Sequence, residues 1–306
     1  MQGGNQTNVK EFILRGFTTN GGSPFALFTL FLVIYTLTLI GNITIIMLVW
    51  FNASLHKPMY VFLGNLSFVE IWYTTSTVPK MLSGLLSKIN SISFNGCFIQ
   101  FYFFFIFGSA ECFLLTIMGY DRYLAICHPL RYNILMSPNK CCFFVSSCWI
   151  GAFLWSLFPV ILISKLQFCG NEINHFLCDP GPLLELSCER HHSIEVFITA
   201  HIGLFVFITF FFTYISYTFI IRTILRIPSS TGRRKAFSTC ASHLIVVTIF
   251  YGCAMYIYVR PSGNHLLDID RVIAVFYTVV TPLLNPVIYT LRNKEVLEVF
   301  RKMMRL

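Results

Sequence analysis

Seven predominantly apolar stretches divide the chain at approximately 25–50, 58–80, 95–125, 141–163, 195–225, 236–259 and 271–291. Each is near or above the roughly 20 residues that a helix needs to cross the hydrocarbon core of a bilayer. A helix satisfies its own backbone polar groups, which is what lipid demands. The pattern therefore predicts seven transmembrane helices. The segments between the runs are short and carry turn chemistry, as in Asn52 to Pro58, His128 to Pro138, Pro228 to Arg234 and Pro261 to Asp270. Only the connection near 164–194 is long, and it holds three cysteines and mixed charge. No internal repeat, low-complexity tract or soluble appendage interrupts the pattern. The expected fold class is all-α integral membrane: an extracellular segment over 1–24, a seven-helix domain over 25–291 and a cytoplasmic amphipathic helix over 292–306.

Composition excludes a soluble domain. Of the 306 residues, 56% are hydrophobic and 11% charged, with a mean hydropathy of +0.69, whereas ordinary soluble domains carry about 25% charged residues. The formal charge of +9 would by itself suit nucleic acid or anionic lipid, so its distribution decides. Lys57, Arg131, Lys140, Arg222, Arg226, the run Arg233 to Lys235, and Arg292, Lys294, Arg301, Lys302 and Arg305 all fall on the side of the C-terminus. The opposite side has fewer, nearly balanced by acids. The positive-inside rule then places the C-terminus in the cytoplasm and the N-terminus outside, with the basic face beside anionic lipid. No nucleic-acid partner is needed to account for the charge.

The polar, Gly-rich N-terminus has no cleavable signal pattern, so the first span is expected to serve as the targeting signal. Asn5-Gln6-Thr7 is a glycosylation sequon on the outer side. The sequons at Asn42, Asn52 and Asn65 fall in or below the membrane and are expected to stay unmodified. At the other end, Val296, Leu297, Val299, Phe300, Met303 and Met304 alternate with charges. That spacing predicts a short amphipathic helix on the inner leaflet.

Four of the eleven cysteines lie on the oxidising side: Cys97 at the start of span three, and Cys169, Cys178 and Cys188 in the long loop. Four cysteines allow three pairings, and the sequence alone does not choose among them. Ionisable groups inside the spans are functional candidates by default: Glu70, Glu111, the pair Asp121–Arg122, His201 and His243. Glu70 and Glu111 are both near mid-span, with Asn42 and Asn285 adding amides. Two carboxylates in one dry site cannot both stay charged without a cation between them. This cluster could hold a sodium ion or one shared proton, or serve as an interhelical hydrogen-bond network alone.

The stretch MGYDRYLAICHPLRY (Met118 to Tyr132) resembles the third-span signature of olfactory (odorant) receptors, within the rhodopsin-like G-protein-coupled class. Further segments match that family: LHKPMYVFLGNLS entering span two, Ser216–Tyr217 in span five, KAFSTCASHL (Lys235 to Leu244) entering span six, PLLNPVIYTLRN (Pro282 to Asn293) ending span seven, and Gly41–Asn42 in span one. The resemblance implies a receptor, not an enzyme, that binds a small odorant and activates a stimulatory G protein to raise cAMP. It implies the disulfides Cys97–Cys178 and Cys169–Cys188. Arg122 matches the arginine that is held by Asp121 at rest and engages the G protein, with Tyr217 and Tyr289 as the partners that rearrange around it. Asn285 and Pro286 match the kinked relay of span seven. Asp121, Arg122, Tyr123, Tyr217, His243, Asn285, Pro286 and Tyr289 form the candidate coupling set. The chain departs from the family at Glu70, where Asp is usual, and at Gly119, where Ala is common. Span six has no proline between Arg234 and Val259, as is usual in this family, so its motion cannot depend on a proline kink there.

A small volatile ligand needs a closed, mostly apolar cavity. The outer half of span three supplies Phe104, Phe105, Gly108, Ser109 and Cys112, and Phe104, Gly108 and Cys112 form an i, i+4 row. Span five offers His201, Ile202 and Phe205. Span six offers Tyr251, Ala254, Met255 and Tyr258, and span seven Thr278. Tyr251 takes the position below the ligand that is usually Trp in other rhodopsin-like receptors. No acid or base falls on the outer half of span three, so a neutral, largely apolar ligand is expected. A small-solute transporter is the alternative class, but such proteins show repeats and broken helices in corresponding halves, and none is visible. Enzymatic nucleophiles lack a base and an orienting group in a common site, and no cofactor beyond the sodium ion is implied.

Overall fold

The protein is described by a computed structural model over residues 9–16, 23–87, 89–188, 192–259, 267–292 and 294–303. The helices that organise it are α1 (Pro24–Phe51), α2 (Pro58–Leu86), α3 (Phe94–Cys127), α4 (Pro138–Ser164), α5 (His192–Leu225) and α6 (Ser230–Tyr258). They are followed by α7 over residues 267–292 and the short α8 (Lys294–Met303). Six of the seven long helices are apolar enough, by length and composition, to cross a membrane. The exception is α2, which carries Glu70, Lys80 and the hydroxyl run Thr74 to Thr77. Its helix also runs on to Leu86, past the expected boundary near residue 80.

Local chemistry sets the helix ends. Pro24, Pro58 and Pro138 open α1, α2 and α4, where a fixed φ and a missing N–H cost nothing. Ser93 and Ser229 cap α3 and α6, their hydroxyls accepting from Gly96 N (3.1 Å) and Gly232 N (3.2 Å). Within the spans, hydroxyls bond back to the preceding turn: Thr36 to Leu32 O, Thr44 to Ile40 O, Thr218 to Tyr214 O and Thr248 to Leu244 O. Polar residues on exposed faces are thereby satisfied without water.

The bundle is built around α3, which packs on α2, α4, α5 and α6, while α1 packs on α2 and α7. Of the apolar window of α3, 72% is buried, against 22% for α1, so α3 is the inner helix and α1 a peripheral one. Gly41 lets α1 approach α7. A Cβ there would stand 3.1 Å from Cβ and Cγ of Pro286, the kind of close approach that small residues permit. α7 is interrupted: Leu267–Val275 and Thr281–Arg292 are α-helical, and Phe276–Val280 form a π-helical turn. The wide turn lies just before Pro282, whose ring would clash with a carbonyl four residues back in a regular α-turn. α6 is continuous, as its lack of proline predicts.

The face beside the N-terminus departs from the all-α expectation. The N-terminal segment, polar and Gly-rich in sequence, contributes Glu11–Leu14 as β1, which lies between β2 (Ser91–Ser93) and β3 (Glu172–Ile173) in the order β2-β1-β3. β1 pairs antiparallel with β2, Phe12 opposite Ile92, and parallel with β3, Leu14 opposite Ile173. Phe12 explains the placement. It is fully buried and packs on Phe94 and Phe168. Arg15 donates to both oxygens of Glu172 at 2.9 and 2.7 Å, which holds the Glu172 carboxyl below the usual carboxylate range. The Asn5 sequon lies outside the described residues.

Candidate functional site

Disulfides position the outer site. Cys97, in the first turn of α3, is bonded to Cys178, and Cys169 to Cys188. The first bond draws loop residues 174–185 down between the helix ends. Gln100 reinforces it, accepting from Cys178 N at 3.2 Å and donating to Ser76 O at 3.0 Å.

Two cavities lie beneath the loop. The deeper is small, about 30 Å³, and is lined by eight of the expected residues: Phe104, Phe105, Gly108, Ser109, Cys112, Ile202, Phe205 and Tyr258. Trp155, Val206 and Tyr277 complete it and were not anticipated. Tyr251 lines neither cavity; it packs behind Cys112 of the wall, donating to Cys112 O at 3.2 Å with Thr116 Oγ1 3.4 Å away. His201 does not line either cavity. It stacks on Trp155 with ring centroids 3.9 Å apart, and Trp155 takes the place expected of it. Ala254 is packed in the core and Met255 is half-buried, neither on a cavity wall. Thr278 lines the upper cavity, its hydroxyl donating to Ala274 O.

The upper cavity, a vestibule of about 430 Å³, is roofed by loop residues 174–185 and walled by α5, α6 and α7. Phe104, Ile202, Tyr258 and Tyr277 line both cavities and form the partition between them. Tyr258 is fixed in that wall by its hydroxyl, which donates to Asp179 Oδ1 at 3.2 Å. Burial pushes the Asp179 carboxyl up to about 7 against the hydrogen bonds from Tyr258 and the Gly181 backbone. His175, beside it in the loop, is pushed down to about 3 by burial and by the nearby Arg271 guanidinium, so its imidazole is neutral. These groups flank Cys178 in sequence, and that adjacency was the available signal for them.

Of the mid-span polar residues, Glu70, Glu111 and Asn285 are brought together, while Asn42 bonds to backbone carbonyls of its own helix and of α7. Asn42, Glu70, Glu111 and Asn285 are all at most 2% exposed. Asn285 donates to Glu70, Asn42 donates to Thr38 O at 3.0 Å and Pro282 O at 3.3 Å, and the two carboxyls lie within reach of a shared proton. Four buried oxygens have no hydrogen-bond donor: Asn42 Oδ1, Glu70 Oε2, Glu111 Oε1 and Asn285 Oδ1. A group of oxygens without donors is what a small cation or an added proton satisfies.

At the end of the bundle that carries the C-terminal helix α8, one expectation is corrected. Asp121 does not hold Arg122. The two form no ion pair in the structure, and Asp121 Oδ1 instead accepts from Tyr132 Oη at 2.8 Å. Geometry accounts for this, because adjacent helical residues point in different directions and do not face each other. Tyr132 is delivered by the short helix Tyr132–Leu135 that follows α3. Tyr217 and His243 pair with each other, Oη to Nδ1 at 2.8 Å with rings 5.6 Å apart. Tyr123 Oη lies 2.9 Å from His128 Nε2. Arg122 Nε, His243 Nε2 and Tyr289 Oη are buried without partners. Missed altogether was a clasp at the base: Lys57 donates to both oxygens of Glu295 at 2.9 and 2.7 Å, and Tyr60 adds a bond at 2.9 Å. Lys57 chiefly holds the Glu295 carboxyl below its ordinary range.

Comparison with known proteins gives a consistent family. A sequence model of the olfactory receptor family matches residues 31–305. Human olfactory receptor 11L1 is 51% identical over 306 residues, covering 100% of this chain and 95% of that protein. Human olfactory receptor 11G2 is 50% identical over 299 residues, 97% of this chain and 87% of its own. Mouse olfactory receptor 6B9 is 48% identical over 302 residues, 97% and 95% respectively.

Proposed function

The chain belongs to the olfactory receptor family, and from that premise we propose that it binds small, mostly apolar, neutral odorants in the outer half of the bundle and activates a stimulatory G protein to raise cAMP. It is a multi-pass membrane protein and, like its relatives, a receptor and not an enzyme. The observation that carries the ligand reading is the deep cavity. Its walls are the rings of Phe104, Phe105, Phe205 and Tyr277, and its polar groups are few. Ser109, whose hydroxyl is 3.4 Å from that of Ser156, is the polar point that orients a ligand, and Tyr251 supports the wall from behind Cys112. At about 30 Å³ the cavity must widen to admit an odorant, and the partition it shares with the upper cavity is the wall whose displacement would join the two.

In this reading α2 is the seventh span, its polar groups turned to α3 and α7. The segment 1–24 is extracellular with Asn5 available for glycosylation, 25–291 is the membrane domain, and 292–306 carries α8 along the inner leaflet. Val296 of α8 is buried while Glu298, Arg301 and Lys302 are exposed, which suits a helix lying at an interface. The cluster of Glu70, Glu111, Asn42 and Asn285 holds one sodium ion or one shared proton, and Arg122 with Tyr217, His243 and Tyr289 forms the coupling end. The test is a panel of neutral volatiles read by cAMP in cells carrying an olfactory-type stimulatory G protein. A ligand-dependent rise that Arg122→Ala abolishes at equal surface expression is the expected result. Flat responses with proven surface expression, or full signalling by the variant, overturn it.

A further inference from the structure

The vestibule has a chemistry that the deep cavity lacks. Four carboxylates border it: Asp179 and Glu185 from the loop, Glu195 from α5 and Asp270 from α7. Among the described residues its lining contains no lysine or arginine, in a chain whose formal charge is +9. Arg271, adjacent in sequence to Asp270, donates to Arg15 O and Asn174 O. Three aromatic rings, Phe104, Tyr258 and Tyr277, form the inner wall, and they are in mutual contact, with Tyr258–Tyr277 and Phe104–Tyr277 centroids both 6.4 Å apart. Carboxylate and aromatic faces around one concave space of small-molecule size are the arrangement that captures ammonium groups. A metal ion is the weaker occupant, since no group of three His, Cys, Asp or Glu side chains among the described residues is placed to hold one.

We propose that the vestibule is a separate binding site for a protonated organic amine, whose ammonium group pairs with Asp179 among the rings of Phe104, Tyr258 and Tyr277. Asp179 is the anchor because it is the carboxylate enclosed by protein yet bordering the cavity, and its hydrogen-bond donor, Tyr258, belongs to the partition. An amine at Asp179 competes with that hydrogen bond and so loosens the wall between vestibule and deep cavity. The site thus extends the proposed odorant function to a second ligand class, and this consequence rests on the receptor reading, whereas the binding itself does not.

The test separates the two. Purified full-length receptor in lipid nanodiscs is titrated with n-butylamine, n-butanol and butyrate, and binding is read from thermal unfolding, which needs no G protein. Butylamine alone is expected to raise the unfolding temperature saturably. Asp179→Asn should weaken its apparent affinity about thirtyfold or more, as for removal of one partner of a desolvated charge pair. Gly181→Trp provides a steric check should that variant not fold. Gly181 lines the vestibule and a Cβ there meets nothing within 4 Å, so a bulky side chain can be added to the lining at that point, and butylamine binding should be lost. Affinity should also be higher at pH 8 than at pH 6, because a protonated Asp179 offers no charge. Around it stand the neutral His175, the hydroxyls of Tyr258 and Tyr277, the further acids Glu185, Glu195 and Asp270, and Arg271 as the nearby cation. No shift with butylamine, an equal shift in the Asp179→Asn protein, or stronger binding of butyrate overturns the site. A cAMP failure with binding intact instead counts against the coupling reading.

Discussion

At the scale of single residues, the informative side chains are those whose partner differs from the one their position suggests. Asp121 is 1% exposed and its hydrogen bond comes from Tyr132, so Tyr132→Phe leaves a buried carboxylate oxygen without a donor. The expected cost is about 1–3 kcal/mol, seen as a lower unfolding temperature of the purified receptor. An unchanged temperature would remove Tyr132 from that role. Asp179 has the opposite sign of problem. Its folded carboxyl binds a proton more tightly than the unfolded chain does, being raised to about 7 by burial from an ordinary value of about 3.9. The stability linked to this proton is complete below the ordinary value and is lost as pH rises through about 7. Wild type should therefore lose unfolding temperature between pH 5 and pH 8 relative to Asp179→Asn, and parallel pH profiles of the two proteins would contradict the shift. Gly119 shows that a departure from the family pattern can be neutral. A Cβ there meets Thr213, His243 and Tyr217 at 3.5–3.9 Å, ordinary contact, so an alanine would fit.

At the scale of elements, α1 and α7 test how tightly the bundle is set. With a Cβ at Gly41 already 3.1 Å from Pro286, Gly41→Ala requires a shift of a few tenths of an ångström. Gly41→Val requires more, and should cost about 1–3 kcal/mol as an overpacked contact. Unfolding temperatures falling in the order Gly, Ala, Val would support this, and a fully tolerated valine would show the helices able to separate. The spans were legible because a bilayer-length apolar run is itself the physical requirement for a membrane helix, and even α2, with Glu70 and Lys80, shows that run between Pro58 and its polar end. β1 was not legible. Its four residues draw their meaning from β2 and β3, about 80 and 160 positions further along the chain, and no local period encodes that pairing. The π-helical turn before Pro282 was hidden for a related reason, since a proline announces a disturbed helix without saying which way the helix relieves it. Within the pocket, the i, i+4 row of α3 was readable from spacing. Trp155 and Tyr277 were not, because several faces of α4 and α7 are equally apolar and only packing selects which one turns inward.

For the whole molecule, the cap of strands and loop over the cavities is the device that closes the helix bundle at that end. Three connections converge on it: the strand order β2-β1-β3, the guanidinium of Arg271 bridging Arg15 O and Asn174 O, and the two disulfides. The disulfides are not equivalent. Cys97–Cys178 spans 81 residues and Cys169–Cys188 only 19. Loop-closure entropy alone then ranks them at roughly 4–5 against roughly 3 kcal/mol. Position widens the gap, because only the longer bond ties the vestibule roof to the central helix α3. Cys178→Ser should therefore abolish surface delivery, whereas Cys169→Ser should leave a reduced but measurable fraction at the surface, both counted by antibody staining of unpermeabilised cells. Any Cys178→Ser protein that is captured and purified should also have lost butylamine binding, since His175 and Asp179 are no longer held over the cavity, while Tyr217 and His243 at the far end of the bundle keep their pairing. Equal trafficking of the two variants would mean that the cap is held mainly by its strands. The parallel pairing of Leu14 with Ile173 and the burial of Phe12 would then be the contacts to remove next.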